Sequence, residues 1–239
     1  MKQRAISTEE IVEKIKDVDK LPTHEEAEKL FHSIYDRFDI DYTQKSWIDF
    51  CEDNKIYEVY NTKFIDSLAE EIKKLNKSPI IEICAGDGKL SNQLRKKGID
   101  IVATDDYSWR DIRRYRNLVE RLSHKEALRK YNPGVVIASW VPQETRIGFD
   151  VLDFPSVKYL IDIGEDIGGG TWITEEIYDR KDFERTSLKN VEEYALCRTD
   201  YPDMHNSYVS LFTSLKNKHN GSNLLCRISA LLQTFKKGK

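Results

Sequence analysis

The sequence has no long hydrophobic run. None of its apolar stretches approaches the roughly 18 residues that a membrane-spanning helix needs. Residues 1–7 also lack the apolar core of a secretory signal peptide and lead directly into charged residues. The 239 residues are 39% hydrophobic and 33% charged, which is typical of a water-soluble globular protein. We therefore expect no membrane partner and a cytoplasmic location.

Cysteine is scarce, and its spacing matches no disulfide or metal motif. The four cysteines stand at positions 51, 84, 197 and 226, and no two form a C-x-x-C pair. This pattern favours free thiols in a reducing compartment over a disulfide framework. Cys197, Asp200, Asp203 and His205 are metal-ligand types, but their spacing matches no standard zinc site. We predict no metal.

Several functional motifs are missing as well. The sequence has no Gly-x-x-x-x-Gly-Lys-Ser/Thr loop of a nucleoside triphosphatase and no Gly-x-Ser-x-Gly elbow of a serine hydrolase. Its net charge is −3, so nothing in the overall charge calls for a nucleic-acid partner. Basic side chains concentrate in residues 110–130 and 216–239. Solvated helix faces explain this concentration, and a surface for an anionic substrate or partner is the alternative.

The N-terminal part is predicted to be helical. Ser7 and Glu10 have the spacing of a capping box, and Thr23 and Glu26 repeat it. A further helix is predicted over 62–76 from its apolar stripe. We interpret residues 1–56 as a helical extension or lid and residues 57–239 as the main domain.

From Pro79 onward, short apolar runs alternate with helical patterns. The predicted strands are 80–84, 99–104, 118–122, 135–140 and 157–163, with a helix at 89–97 closed by Gly98. Such alternation favours a parallel α/β sheet. Two later β-like runs, 193–198 and 208–213, flank a turn and predict an antiparallel edge hairpin.

The strand, glycine loop and helix at 80–97 form a predicted ligand site. Glycine allows a ligand to approach the backbone closely, and a helix N-terminus presents unpaired amides. Asp105 ends the second strand, 19 residues beyond Gly86, and a carboxylate there can accept both hydroxyls of a ribose. The sequence therefore predicts a nucleotide-like cofactor.

The details of the loop disfavour a dinucleotide. The G-x-G-x-x-G fingerprint becomes Gly86-Asp87-Gly88-Lys89-Leu90-Ser91, without the third glycine. Asp87 also places a carboxylate where a pyrophosphate would bind. A cationic sulfonium cofactor tolerates such a loop, so an NAD-dependent oxidoreductase is the less favoured alternative.

The run Glu82-Ile83-Cys84-Ala85-Gly86-Asp87-Gly88 resembles the first motif of class I S-adenosylmethionine-dependent methyltransferases, with Cys84 in place of the first glycine. The resemblance spans about residues 57–215. It implies a Rossmann-like, doubly wound, mostly parallel seven-stranded sheet with an antiparallel edge hairpin. It further implies that Glu82, Cys84, Ala85, Gly86 and Gly88 hold the methionine end of the cofactor, with the ribose on Asp105. We add Ser139, at the end of the fourth strand, to the predicted cofactor site.

The substrate side is predicted at the ends of the fourth and fifth strands. Ser139-Trp140-Val141-Pro142 loosely resembles the (D/N)-P-P-(Y/F/W) loop of amino-group methyltransferases, but it lacks the leading acid or amide and the double proline. Trp140 either walls the substrate pocket or packs as a core wedge. Glu165, in the glycine-rich stretch 163–172, is the candidate proton acceptor, with a solvated carboxylate as the alternative. Tyr57 and Tyr60 either cover the cofactor or pack in the core.

These residues predict transfer of a methyl group to a nitrogen or oxygen nucleophile of a small molecule or peptide. Trp140 and Glu165 are the predicted catalytic residues, and S-adenosylmethionine is the predicted cofactor. A non-catalytic S-adenosylmethionine-binding or scaffolding protein of the same fold is the alternative hypothesis.

Overall fold

The structure is a computed structural model. It describes residues 6–40, 45–108, 117–141, 146–165, 177 and 180–215. The predicted basic region is therefore only partly described, and the tail from residue 216 lies outside the described residues. The same holds for Pro142 and for the glycine-rich residues 166–172.

Three helices form the N-terminal part: α1 (Thr8–Lys16), α2 (His24–Ile40) and α3 (Trp47–Asn54). The predicted capping box is confirmed, since the Glu10 amide donates to Ser7 Oγ and the Ser7 amide donates to Glu10 Oε2. Helix α3 was not predicted individually, although Trp47, Phe50 and Cys51 stand at helical spacing. The apolar faces of the three helices share one core cluster, and Leu196 from the far end of the chain belongs to it.

The main part alternates strands and helices. Its elements are α4 (Thr62–Leu75), β1 (Ile80–Ile83), α5 (Lys89–Lys96), β2 (Ile101–Asp105), β3 (Val119–Arg121), α6 (His124–Tyr131), β4 (Val135–Ser139), α7 (Ile147–Asp153), β5 (Tyr159–Glu165), β6 (Phe183–Ser187), α8 (Lys189–Glu192) and β7 (Ser207–Ser214).

The strands form one seven-stranded sheet in the order β3-β2-β1-β4-β5-β7-β6. Strands β1 to β5 pair in parallel, and β7 is antiparallel to both β5 and β6. Helices α4, α5 and α8 contribute to the core on one face, and α6 and α7 to the core on the other. The predicted Rossmann-like, doubly wound sheet with an antiparallel edge is confirmed. The carboxyl ends of β1, β2, β4 and β5 consequently share one edge, where ligands bind in such folds.

One strand of the predicted edge hairpin is wrong. The run 208–213 lies in β7 as expected, but its edge partner is Phe183–Ser187 rather than 193–198. Only the first residue of β6 is buried, so this strand lacks the apolar signal that marks the others. The run 193–198 follows α8 instead and forms a single bridge, between Cys197 and Glu58.

Two predicted strand ends also shift. Trp140 lies just beyond β4 because its φ of 55° leaves the extended region. Strand β5 continues through Gly164 and Glu165, which pair with Tyr208 and Ser207 of β7. Glu165 is thus the last residue of a strand and not part of the following loop. Among the described residues, no helix has the length and apolarity to cross a membrane.

Candidate functional site

The glycine loop joins β1 to α5 through a series of left-handed residues. Cys84, Gly86 and Gly88 have φ values of 53°, 58° and 78°. The Ala85 amide donates to the carbonyl of Thr104 in β2 at 3.0 Å, and the Gly88 amide donates back to Ala85 at 2.8 Å. The loop is therefore folded tightly against the end of β2.

Asp105 fastens this loop from the neighbouring strand. Its carboxylate accepts hydrogen bonds from the amides of Gly86, at 2.9 Å, and Tyr107, at 2.6 Å. Burial raises the pKa of Asp105, against the lowering effect of these two hydrogen bonds. The structure thus brings Asp105 to the glycine loop, as the spacing predicts, and shows a second role for it in holding the loop.

The N-terminus of α5 is occupied by the protein's own carboxylates. Asp87 Oδ1 accepts from the Lys89 amide at 2.9 Å. Glu82 Oε2 accepts from the Ser91 amide at 3.1 Å and from the Ser91 hydroxyl. Because these amides form the positive end of the helix dipole, they are where a pyrophosphate would bind. The chain fills this anion site itself.

Glu82 is deeply buried, with 2% of its surface exposed. Burial raises the pKa of Glu82 to about 8, despite the opposing hydrogen bonds from Ser91. Its predicted contact with a cofactor stays a prediction, since the partners that the structure shows for it lie on α5.

Lys89, the first residue of α5, does not put its charge into the loop. Its Nζ donates to the carbonyls of Lys14, Ile15 and Asp17 at 2.7–2.8 Å. These carbonyls end α1, so the ammonium group caps the negative end of that helix. The charge of Lys89 therefore does not offset that of Asp87 in the loop. The same contacts join the N-terminal helix α1 to the start of α5.

Gly88 is required by packing as well as by its backbone. A Cβ atom at this position would lie 2.5 Å from Val119 Cγ2 of β3, closer than real Cβ contacts. The loop therefore packs directly on the neighbouring strand.

Ser139 ends β4, which lies beside β1 in the sheet. Its Oγ is 2.7 Å from the hydroxyl of Tyr60, in the segment preceding α4. Burial raises the pKa of Tyr60 well above its ordinary value. Tyr60 and Ser139 thus adjoin the glycine-loop half of the site.

Trp140 follows Ser139 in the chain and contacts a second group of side chains. Its backbone amide donates to the Ile163 carbonyl at 2.9 Å, and its Nε1 donates to Glu58 Oε2 at 3.1 Å. Its ring is 5.7 Å from that of Tyr57 and 5.4 Å from the guanidinium carbon of Arg198. A left-handed backbone at a non-glycine residue is strained, and such strain concentrates at functional sites.

Glu58 is a carboxylate that the sequence did not reveal as part of the site. It is buried and accepts a second hydrogen bond, from the Leu196 amide, at 2.9 Å. Burial raises the pKa of Glu58 to about 8, and the negative charge of Asp200 contributes. Below pH 8 this carboxyl group therefore holds a proton for most of the time.

Glu165 lies in the same region, at the end of β5. It is buried and accepts a hydrogen bond from the Thr199 hydroxyl. The neighbouring Asp200 is also buried, and its carboxylate accepts four hydrogen bonds: from the amides of Cys197, Asn206 and Ser207 and from the Ser207 hydroxyl. Asp200 thus holds the 197–207 segment together.

The predicted residues form two adjoining halves. The glycine loop, Asp105 and Ser139 make one, and Trp140 with Glu165 makes the other. Sequence reasoning missed Glu58 and Arg198, which join the second half from distant parts of the chain. The sequence offered one signal that Glu58 is buried: this acidic residue stands in a short run that is otherwise apolar or aromatic, from Ile56 to Val59. Among the described residues, no cluster of three or more potential metal ligands occurs.

No protein-family model matches the chain, and no curated protein matches it. Solved structures resemble the chain at low identity and with TM-scores below 0.5. The methyltransferase domain of bacterial CtHen1-C is 13% identical with a TM-score of 0.44, covering 64% of this chain and 97% of that one. Magnesium protoporphyrin IX methyltransferase from Synechocystis PCC 6803 is 14% identical with a TM-score of 0.40, covering 63% and 77%.

A methyltransferase from Archaeoglobus fulgidus is 9% identical with a TM-score of 0.39, covering 64% of this chain and 95% of that one. All three structures are of methyltransferases. At these identities and TM-scores the likeness carries no argument about this chain, so its function has to be argued from the site itself.

Proposed function

We propose that this chain is an S-adenosylmethionine-dependent methyltransferase that acts on a nitrogen or oxygen nucleophile of a small molecule or peptide. One observation carries the proposal: Asp87 and Glu82 fill the anion site at the start of α5. A pyrophosphate placed there would compete with both side chains for these amides and would meet the carboxylate of Asp87, whereas a cofactor with a positively charged sulfur and no phosphate has no need of the site.

The residues of the first half fit such a cofactor. Asp105 presents a buried carboxylate with lone pairs left for two ribose hydroxyls, because each of its oxygens accepts one hydrogen bond from the protein. The loop from Cys84 to Gly88, with Glu82 beneath it, is assigned to the methionine end. Ser139 and Tyr60 border the place where the two halves meet. When bound, S-adenosylmethionine supplies an electrophilic methyl group.

The residues of the second half are assigned to the methyl acceptor. Trp140 and Tyr57 provide aromatic walls that hold the acceptor in line. Glu165 is the proposed proton acceptor for a nucleophile that must lose a proton. Glu58 is less suited to accept a proton at neutral pH, because its pKa is about 8. Its proposed role is to hold Trp140 through the indole N–H.

The filled anion site argues against an NAD-dependent oxidoreductase. A non-catalytic cofactor-binding protein remains the second candidate, since a scaffold can keep the cofactor half of the site. The acceptor half distinguishes them, because a scaffold has no need for a proton acceptor such as Glu165.

The experiment is to incubate the protein with S-adenosylmethionine and with separate small-molecule and peptide fractions of a cell extract, and to measure formation of S-adenosylhomocysteine. We expect product with at least one fraction and a large loss with Glu165→Gln. If the protein binds the cofactor but forms no S-adenosylhomocysteine with any fraction, the non-catalytic scaffold is favoured.

A further inference from the structure

A pocket of about 240 Å³ opens between the N-terminal helices and the segment after α8. Tyr35 of α2, Trp47 and Ile48 of α3, and Arg198, Asp200 and Tyr201 line it. It adjoins the acceptor half of the site, because Arg198 contacts both Trp140 and Tyr57.

Arg198 is held in this pocket by aromatic rings. Its guanidinium carbon lies 5.1 Å from the ring centre of Tyr57 and 5.4 Å from that of Trp140. Its Nε is buried and has no hydrogen-bond partner within the part of the chain that the structure describes. Contact with two aromatic rings restrains a guanidinium but uses none of its five N–H donors, which stay available to an acceptor.

The acidic groups nearby are engaged elsewhere. Asp200 uses its carboxylate to bind three backbone amides and the Ser207 hydroxyl. Glu58 binds Trp140 and Leu196, and its pKa of about 8 keeps it largely neutral at physiological pH. Arg198 therefore retains its charge and its donors for a ligand.

The rim of the pocket is apolar. Ile48 and Tyr201 are 37% and 52% exposed, and they are two of the few large hydrophobic side chains that are exposed among the described residues. Tyr35 and Tyr201 meet edge to face, with ring centres 6.5 Å apart. Exposed apolar side chains around a concave site mark a binding surface.

We propose that this pocket is a ligand subsite in which Arg198 binds the carboxylate of a molecule with an apolar body. A guanidinium edge matches a carboxylate with two parallel hydrogen bonds. Arg198 lines the pocket, so a carboxylate bound there meets this guanidinium. The apolar body then lies between Tyr35, Ile48 and Tyr201.

The subsite also narrows the substrate class. If the chain transfers methyl groups as proposed above, the acceptor is a carboxylate-bearing molecule whose anionic group is anchored at Arg198. This identification rests on the proposed function, whereas carboxylate binding does not depend on it.

The test is a titration of the full chain with 3-phenylpropionate, 3-phenylpropionamide and 3-phenylpropylammonium up to about 10 mM, followed by ligand-detected NMR and tryptophan fluorescence. We expect saturable binding of the acid, and binding of the amide and the ammonium weaker by at least about ten-fold. Acetyl-Gly-Phe with a free or an amidated C-terminus is the second arm. Binding of the free peptide indicates a peptide ligand, and binding of the small acid alone indicates a metabolite.

Variants locate the site. Arg198→Met keeps the length of the side chain without its charge, and we expect the affinity for the acid to fall about 10- to 100-fold. Arg146→Met is the matched control, because Arg146 also stacks on an aromatic ring, that of Phe149, and does not line the pocket. Arg198→Lys keeps the charge without the planar edge and should lose about ten-fold.

Equal affinity for acid and amide, no binding of the acid, or unchanged affinity in a folded Arg198→Met would each overturn the proposal. If both Arg198 variants fail to fold, the preference of the wild type for acid over amide decides. S-adenosylhomocysteine binding is measured on the same samples. Carboxylate binding without S-adenosylhomocysteine binding contradicts the methyltransferase, and the reverse result contradicts the subsite alone.

Discussion

The carboxylate of Asp105 accepts a hydrogen bond of 2.9 Å from the backbone amide of Gly86, 19 residues earlier in the chain. This bond ties the end of β2 to the glycine loop that follows β1. The residue assigned to the ribose therefore also sets the shape of the loop assigned to the methionine end. The two parts of the cofactor site should respond together when either is changed.

Asp105→Ala is expected to weaken S-adenosylhomocysteine binding by about 10- to 100-fold, because it removes charged hydrogen bonds to the ribose and releases the loop. Calorimetry measures the affinity. Asp106→Ala is the matched control, since this neighbouring carboxylate is exposed and, within the described part of the chain, accepts a hydrogen bond from the Ser108 amide alone. Unchanged affinity in a folded Asp105→Ala removes Asp105 from the site.

The packing of the loop on β3 leads to a second prediction. Gly88→Ala combines a left-handed alanine, at about 1–2 kcal/mol, with overpacking against Val119, at about 1–3 kcal/mol. We expect a loss of unfolding free energy of about 2–5 kcal/mol in urea denaturation.

Gly98→Ala provides the comparison. Gly98 has a φ of 81°, but a Cβ there meets nothing within 4 Å, so only the backbone cost of about 1–2 kcal/mol applies. Equal losses of unfolding free energy in Gly88→Ala and Gly98→Ala would show that the contact with Val119 adds no cost to a Cβ atom at position 88.

The raised pKa of Glu58 predicts a pH-dependent stability. A carboxyl group with a pKa near 8 in the folded state and near 4.5 when unfolded stabilises the fold fully below pH 4.5. This contribution is lost as the pH rises to 8. The unfolding free energy of the wild type should therefore fall relative to Glu58→Gln between these values, by up to about 1.4 kcal/mol per pH unit.

Urea denaturation at several pH values measures this difference. Glu52→Gln, at an exposed position of α3, is the control and should follow the wild type. If the difference in unfolding free energy between wild type and Glu58→Gln stays constant from pH 4.5 to pH 8, Glu58 is ionised throughout this range in the folded protein.

The acceptor half predicts a separation of turnover from cofactor binding. Glu165→Gln removes the proposed proton acceptor, and Trp140→Ala removes an aromatic wall. Cofactor affinity should stay within a few-fold, while the single-turnover rate of Glu165→Gln falls by about 10²–10⁴. If both variants fold and turn over normally, the methyl acceptor binds elsewhere on the protein.

The proximity of the glycine loop to Asp105 was predictable from the sequence because this arrangement is local. Glu82, the glycine loop and the start of α5 are contiguous, and Asp105 follows at a recognisable spacing. The mostly parallel sheet was predictable for the same reason, since its central strands are short apolar runs separated by turns.

The acceptor half is assembled from distant segments, so no local pattern reveals it. Glu58 meets Leu196, 138 residues later, through a side-chain hydrogen bond. Strand β6 was missed because four of its five residues are exposed. The run 193–198 was misassigned because its apolar residues are buried without pairing in the sheet: Leu196 packs with the N-terminal helices, and Ala195 packs in the core on one face of the sheet.

The most direct test of the central claim is the melting temperature of the full chain with S-adenosylhomocysteine and with NAD. A ligand at 100 times its Kd stabilises the native state by about 2.7 kcal/mol, which corresponds to a rise of roughly 5–10 °C for a chain of this size. We predict this rise with S-adenosylhomocysteine and none with NAD. A rise with NAD and none with S-adenosylhomocysteine would contradict the account.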